Sequence, residues 1–235
     1  MLSAGKFSGA LLMEKYFDEL IMRYPILQEN ITVLWQLAEK IVTLFKGGNT
    51  LFLAGNGGSA ADAEHICGEM LKGFKSRREL TVADREKFVA IAGADGIELS
   101  GALQYGLPAI SLLSHPALTS AFGNDVNPKL AFAQQLWALG KSGDMVIGIS
   151  TGGNAENIRK MFITAKVKNI QTVLLTGSKH GSCREFADLV VAVAESETYK
   201  IQELHLPLYH TLCLAVESQF FKMMGSESDM LHQFN

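Results

Sequence analysis

Six short runs of almost unbroken apolar residues, at 50–54, 88–92, 109–113, 144–149, 171–175 and 188–193, narrow the folds open to this chain. They are rich in Val, Ile and Leu and lack the polar–apolar alternation of a strand with one wet face. Runs of that kind fit strands buried on both faces of a parallel sheet. Between them lie segments with helical periodicity, at about 59–73, 128–139, 155–168 and 201–224. The alternation predicts an α/β fold, a doubly wound parallel sheet with helices on both faces.

Ahead of the first strand, apolar residues recur at helical spacing: Leu20, Ile21 and Tyr24, then Ile31, Leu34, Leu37, Ile41, Leu44 and Phe45. Pro25 breaks this stretch into two helices. Residues 1–48 therefore read as N-terminal helices for packing and oligomerisation, and 49–235 as the α/β domain. With 235 residues, 48% of them hydrophobic, the chain can bury a substantial core. Its net charge of −3, with both signs interspersed, argues against a nucleic-acid surface. No run reaches the ~20 apolar residues of a membrane span. Cys67, Cys183 and Cys213 are odd in number and far apart, which fits a reducing cytoplasm better than a disulfide framework. The first ten residues do not read as a signal peptide. The expectation is a cytoplasmic protein with neither nucleic acid nor membrane as partner.

The first apolar run (Leu51, Phe52, Leu53) leads into Gly55-Asn56-Gly57-Gly58-Ser59. Glycines let a backbone approach a ligand closely, Ser59 stands where a helix N-cap belongs, and the N–H groups of a helix start favour an anion. One turn into that helix His65 and Glu69 are spaced i, i+4 and share a face. A phosphate cradle beside an imidazole–carboxylate pair points to chemistry on a phosphorylated small molecule. A weaker echo follows at 145–156, where Ile147-Gly148-Ile149 runs into Ser150-Thr151-Gly152-Gly153-Asn154. Two such turns at the carboxyl ends of parallel strands face one crevice, and Ser150, Thr151 and the amides of 151–155 can hold a phosphate. An ordinary βα turn is the plainer alternative, but the crowding of serine, threonine and glycine favours phosphate.

A second chemical cluster, Ile201 to His210, opens the last helix. Gln202 and His210 are eight residues apart, hence ~12 Å along a straight helix and ~80° around it. Either Pro207 loosens the helix, or the two residues meet across a subunit boundary, the explanation we favour.

At these residues the chain resembles the sugar isomerase (SIS) superfamily and, within it, the phosphoheptose isomerases. The likeness rests on the Gly-Asn-Gly-Gly-Ser turn, His65 with Glu69, Gly123-Asn124-Asp125, Gly148-Ile149-Ser150-Thr151 with Gly153-Asn154, and Gln202-Glu203 through His210. It spans about Leu11 to Lys222 and implies a flavodoxin-like three-layer αβα fold. It also implies zinc, one per subunit, held by His65, Glu69, Gln202 and His210. Substrate contacts would come from Asn56, Gly57, Gly58, Ser59, Asn124, Asp125, Ser150, Thr151, Gly152 and Gln202. Glu69 and His210 would be the catalytic base and acid. The implied reaction converts sedoheptulose 7-phosphate to D-glycero-D-manno-heptose 7-phosphate, feeding heptose nucleotide and lipopolysaccharide synthesis, in a homotetramer.

Ketose–aldose isomerisation moves a proton between neighbouring carbons through an enediol, so it needs an acid and a base. Zinc could polarise the carbonyl oxygen, yet a metal-bound Glu or His is no free base or acid. The chain departs from the family pattern at Gly152 and Ala155, which stand in place of serines, and at Tyr199, in place of an aspartate. About 78–106 reads as an insertion. A non-catalytic sugar-phosphate sensor or protein-binding adaptor, and an isomerase of another phosphosugar, are the competing readings. An adaptor has no need of His65, Glu69 and His210 together, and this chain has all three.

Overall fold

The computed structural model describes residues 4–221. Strands β1 (Leu51–Gly55), β2 (Ala109–Ser111), β3 (Met145–Ile149), β4 (Gln171–Thr176) and β5 (Leu189–Ala192) form one parallel sheet in the order β2-β1-β3-β4-β5. This is the flavodoxin-like doubly wound order, whose direction reverses between β1 and β3. Leu51 pairs with Met145 and Gly55 with Ile149, so the chain leaves β1 and β3 side by side. Both glycine-bearing turns thus stand at the switch point, where open α/β sheets bind ligands.

Alternate strand residues enter two cores. Leu51, Leu53, Ile147 and Ile149 pack with helices α2 (Ile31–Lys46), α3 (Gly58–Leu71) and α8 (Thr198–Glu217). Phe52, Ala54, Val146 and Leu174 pack with α6 (Ala131–Leu139) and α7 (Glu156–Val167). Every residue of β1 and β3 is buried, which is why the runs show no polar alternation. Pro25 opens a 3₁₀ segment, Pro25–Asn30, between α1 (Ala4–Arg23) and α2. Leu34, Leu37 and Ile41 of α2 are buried in the core shared with the sheet, and Asn30 Nδ2 donates to Ala192 O at 2.8 Å.

Several sequence expectations need correction. The run 88–92 forms no strand; it lies inside α4 (Val82–Ala102). Five apolar residues are too few to separate strand from helix by period, and the Thr81 side chain caps the helix start by accepting from Asp84 N at 3.3 Å. Gly93, at φ 56° and ψ −118°, divides α4 into two arms. They approach so closely that a Cβ on Gly96 would lie 2.1 Å from Phe88 O. The excursion closes at its stem, where Tyr105 N donates to Arg78 O at 2.8 Å. Pro207 sits inside α8 without breaking it, and α8 ends at Glu217; residues beyond 221, including the expected helix end at 224, lie outside the described residues.

Candidate active site

The turn after β1 differs in detail from the sequence reading. The N-cap of α3 is Gly57, not Ser59, and its φ of 57° with ψ of −124° belongs to glycine's own backbone range. Ser59 falls inside the first turn, buried, and its amide donates to Asn56 O at 3.1 Å. The Ala60 amide likewise donates to Gly57 O at 3.0 Å, so neither amide is free for an anion. Asn56 and Asn157 exchange two side-chain hydrogen bonds, 3.0 and 2.9 Å, that tie this turn to the start of α7.

In the second turn Ser150 is buried and its Oγ accepts from Ala155 N at 3.4 Å, leaving its own proton to donate. Thr151 is fixed through its carbonyl, which accepts from Gly177 N (2.9 Å) and Thr176 Oγ1 (3.2 Å). At Gly152 a side chain would meet nothing within 4 Å, so no neighbour excludes the family's serine. Asn124 and Asp125 close α5 (Pro116–Asp125), where the Asn124 amide donates to Asp125 Oδ1 at 2.8 Å. Lys129, a few residues on, pairs with Glu156 in the first turn of α7, which keeps this segment on the same side of the sheet.

Two turns further along α3, His65 and Glu69 meet α8. His65 Nε2 lies 3.3 Å from Glu69 Oε1 and 3.4 Å from His210 Nε2. Glu69 is largely shielded, with only 13% of its side chain exposed, and Lys72 Nζ stands 3.8 Å from Oε2. Burial, and then the neighbouring His65, hold the His210 imidazole below the usual histidine range. Beyond His210 a cavity of about 390 Å³ opens between α1 and α8, lined among others by Tyr16, Arg23, Tyr24 and Phe74. Cys67 and Cys213 lie nearby, but burial raises both thiol pKa values, that of Cys67 to about 12, so neither supplies a thiolate.

Gln202 does not join this cluster. Its amide nitrogen packs against the first residue of α3, only 2.5 Å from where a Cβ on Gly58 would stand. The structure therefore groups the four implied zinc ligands as three and one. Glu69, His65 and His210 make a linked row within one chain. Gln202 lies ~12 Å away along α8. Among the described residues no three His, Cys, Asp or Glu side chains are disposed to hold a metal ion together.

Two participants went unread in the sequence. Tyr209 OH lies 3.0 Å from His65 Nδ1 and donates to Asp62 Oδ1 at 3.2 Å. Asp62 stands i−3 from His65, on the face of α3 already singled out, and Tyr209 adjoins His210. That spacing was the available signal.

A parallel sheet in this order, with serine-bearing turns at its switch point, is an open α/β fold, and residues 117–216 match the SIS domain family model. The likeness then narrows. The phosphoheptose isomerase of Aneurinibacillus thermoaerophilus is 36% identical over 195 residues, covering 83% of this chain and 85% of that one. That of Burkholderia pseudomallei is 39% identical over 181 residues, 77% of this chain and 78% of the other. The solved phosphoheptose isomerase structure from Francisella tularensis matches with a TM-score of 0.68 at 25% identity, over 86% of this chain and 95% of that one. The chain belongs to the phosphoheptose isomerase family.

Proposed function

We propose that the protein is a ketose–aldose isomerase that converts sedoheptulose 7-phosphate to D-glycero-D-manno-heptose 7-phosphate. The observation that carries this reading is a separation. The serine-bearing turns and the Glu69–His65–His210 row lie about two turns of α3 apart, ~10 Å from residue 58 to 65. A sugar held by a phosphate at one end and reacting at a carbonyl at the other needs that arrangement. Ser59, Ser150, Thr151 and Asn56 would take the phosphate, and Gln202, beside Gly58, the part of the sugar next to it.

At the reacting end Glu69 removes a proton from C1 while the C2 carbonyl oxygen gains one from His210. The resulting enediol then returns its O1 proton to His210 as Glu69 delivers a proton to C2. A neutral imidazole suits this exchange, because the nitrogen that gives its proton to O2 is the one that takes the O1 proton back. His65 steers the carboxylate through the 3.3 Å contact.

His65, Glu69 and His210 have the donor chemistry zinc takes, but within one chain they are not disposed to hold it together; with a further ligand it would supply a Lewis acid for the carbonyl. One chain does not assemble the implied set of four, so no step above runs through a metal. A homotetramer in which Gln202 of a neighbour completes the set would reconcile the donors with the distance. The retained base, acid and steering imidazole favour an enzyme over a sensor or adaptor. Purified protein assayed on C5–C7 ketose phosphates, with and without chelator, tests the reading. Turnover of the seven-carbon ketose phosphate is expected; equal use of the unphosphorylated sugar, or no turnover of any, overturns it.

A further inference from the structure

The hairpin formed by α4 is an arm that its own chain leaves uncovered. Of its residues only Gly96 and Ser100 are buried. Val82, Val89, Ile91, Ile97, Leu99 and the C-cap Leu103 are 40–88% exposed. They do not share one face. Val82 and Val89, seven residues apart, lie on the same side of the first arm, and Ile91 stands ~200° round from Val89. In the second arm Leu99 and Leu103 lie on one side and Ile97 ~200° away. A surface helix turns a single apolar stripe toward its core, whereas these arms are apolar on opposite sides. Together the six side chains leave about 600 Å² of apolar surface in water, as much as the largest patch of an ordinary monomer. The arm is also held stiffly at its stem. Glu79 bridges Gln104, Gly73 N donates to Gln104 Oε1 at 2.7 Å, and Tyr105 OH donates to Asp84 while accepting from Thr81 N at 3.3 Å. A surface already fixed in this way loses little freedom on binding.

We infer that the α4 hairpin is an interlocking arm for a second copy of this chain, each arm lying between the partner's arm and the partner's body. Two observations select a second copy. Two such arms would cover about 1,200 Å² of apolar surface between them, the size at which stable interfaces begin. The charges are self-complementary as well. The first arm carries both cations of the hairpin, Arg85 and Lys87, along with Asp84 and Glu86, and the second carries only the acids Asp95 and Glu98. A two-fold axis that lays the first arm along the partner's second arm sets cations beside acids twice over. Two cations against four acids leave the hairpin at −2, which gives it no hold on an anionic lipid surface. The inference stands apart from the isomerase reading, since it concerns assembly and not turnover.

Sedimentation equilibrium of the full chain at micromolar concentration tests it. Ile91→Glu combined with Ile97→Glu places carboxylates at sites that are open to water in one chain, so far-UV circular dichroism should not change. In the assembly the same carboxylates would be buried unpaired. We expect the mass to fall to half that of the wild type, with the dissociation constant of that step raised about 10²-fold or more. Replacing 82–102 by a short Gly-Ser turn, which the closed stem permits, should lower the mass in the same way and decides the matter if the double variant does not fold. A wild type that is monomeric at micromolar concentration, or an unchanged mass in a folded variant of either kind, overturns the inference. Hairpin-dependent binding to vesicles of phosphatidylcholine and phosphatidylserine, with the mass unchanged, overturns it too and assigns the arm to a membrane surface.

Discussion

Glu217→Gln probes how the lower end of the site is held. The Glu217 carboxylate, at the end of α8, accepts from the backbone amides of Phe74 (2.8 Å), Lys75 (2.9 Å) and Ser76 (3.1 Å) and from Arg78 Nε (2.8 Å). Both side chains of this ion pair are fully buried. Arg78 directs its other N–H groups to Met70 O (2.6 Å) and Glu69 O (2.9 Å), closing α3 at the residue proposed as base. A buried pair of this kind adds little net stability compared with an apolar replacement, but breaking it from one side costs about 3–5 kcal/mol. The glutamine keeps one acceptor oxygen, so some amide donors stay satisfied, and we expect a loss of about 4 kcal/mol. For a chain of this length that is about 8–16 °C in Tm, measured at equal protein concentration. Arg78→Met added to Glu217→Gln removes the stranded charge and should restore roughly half of the loss. Hydrogen exchange should quicken at the amides of 74–76 in both variants. A Tm change under about 3 °C would refute the reasoning, because a fully buried guanidinium cannot lose its counter-charge at so small a cost.

Other expectations follow from the same geometry. Glu69→Gln should lower kcat by about 10²-fold with little change in KM, and mixing these chains with His210→Ala chains should recover nothing, since both residues serve one site of one chain. Ser150→Ala should raise KM and weaken competition by inorganic phosphate, while Gly152→Ser, which meets open space, should lower KM; steady-state kinetics read both. His205 is fully buried, donates from Nε2 to Thr176 O at 3.3 Å, and burial lowers its pKa from 6.5 to about 4. The unfolded chain therefore binds the extra proton first, so stability is intact above about pH 6.5 and declines toward pH 4, by about 2 kcal/mol at pH 5. His205→Phe should flatten that decline in urea titrations at pH 7 and pH 5; an unchanged difference would assign it to other groups.

The sheet was legible in the sequence because its strands are buried on both faces: burial leaves a run of Val, Ile and Leu that few other structures need. The run at 88–92 misled for the same reason, because an apolar stretch of five looks alike whether a sheet or a helix uses it. What decides there is Thr81, which caps a helix, and Gly93, which turns it back on itself. Of the site, the residues with unusual chemistry at helical spacing, His65 with Glu69, could be read directly. Asp62 and Tyr209 could not, since a carboxylate and a phenol are ordinary on helix faces and gain meaning only when two helices bring them to 3.2 Å.

The arithmetic of the last helix shows where one-dimensional reasoning stops. The ~12 Å between Gln202 and His210 was sound, and α8 runs unbroken through Pro207 to keep it. What α8 alone could not show is how the helix beside it lines up. Helices α3 and α8 lie side by side and run the same way, with Gln202 against Gly58, Tyr209 against Asp62, and His210 against His65. Seven residues on α3 and eight on α8 are both about two turns, so the two end pairs, Gln202 with Gly58 and His210 with His65, stay in step. Distance along α8 thus sets two ends apart within one chain, one beside the glycine turns, proposed to anchor the phosphate, and one at the imidazoles, proposed to react. Within a single chain the same spacing that keeps Gln202 from His210 holds Glu69, His65 and His210 together, the row proposed to carry the proton transfers.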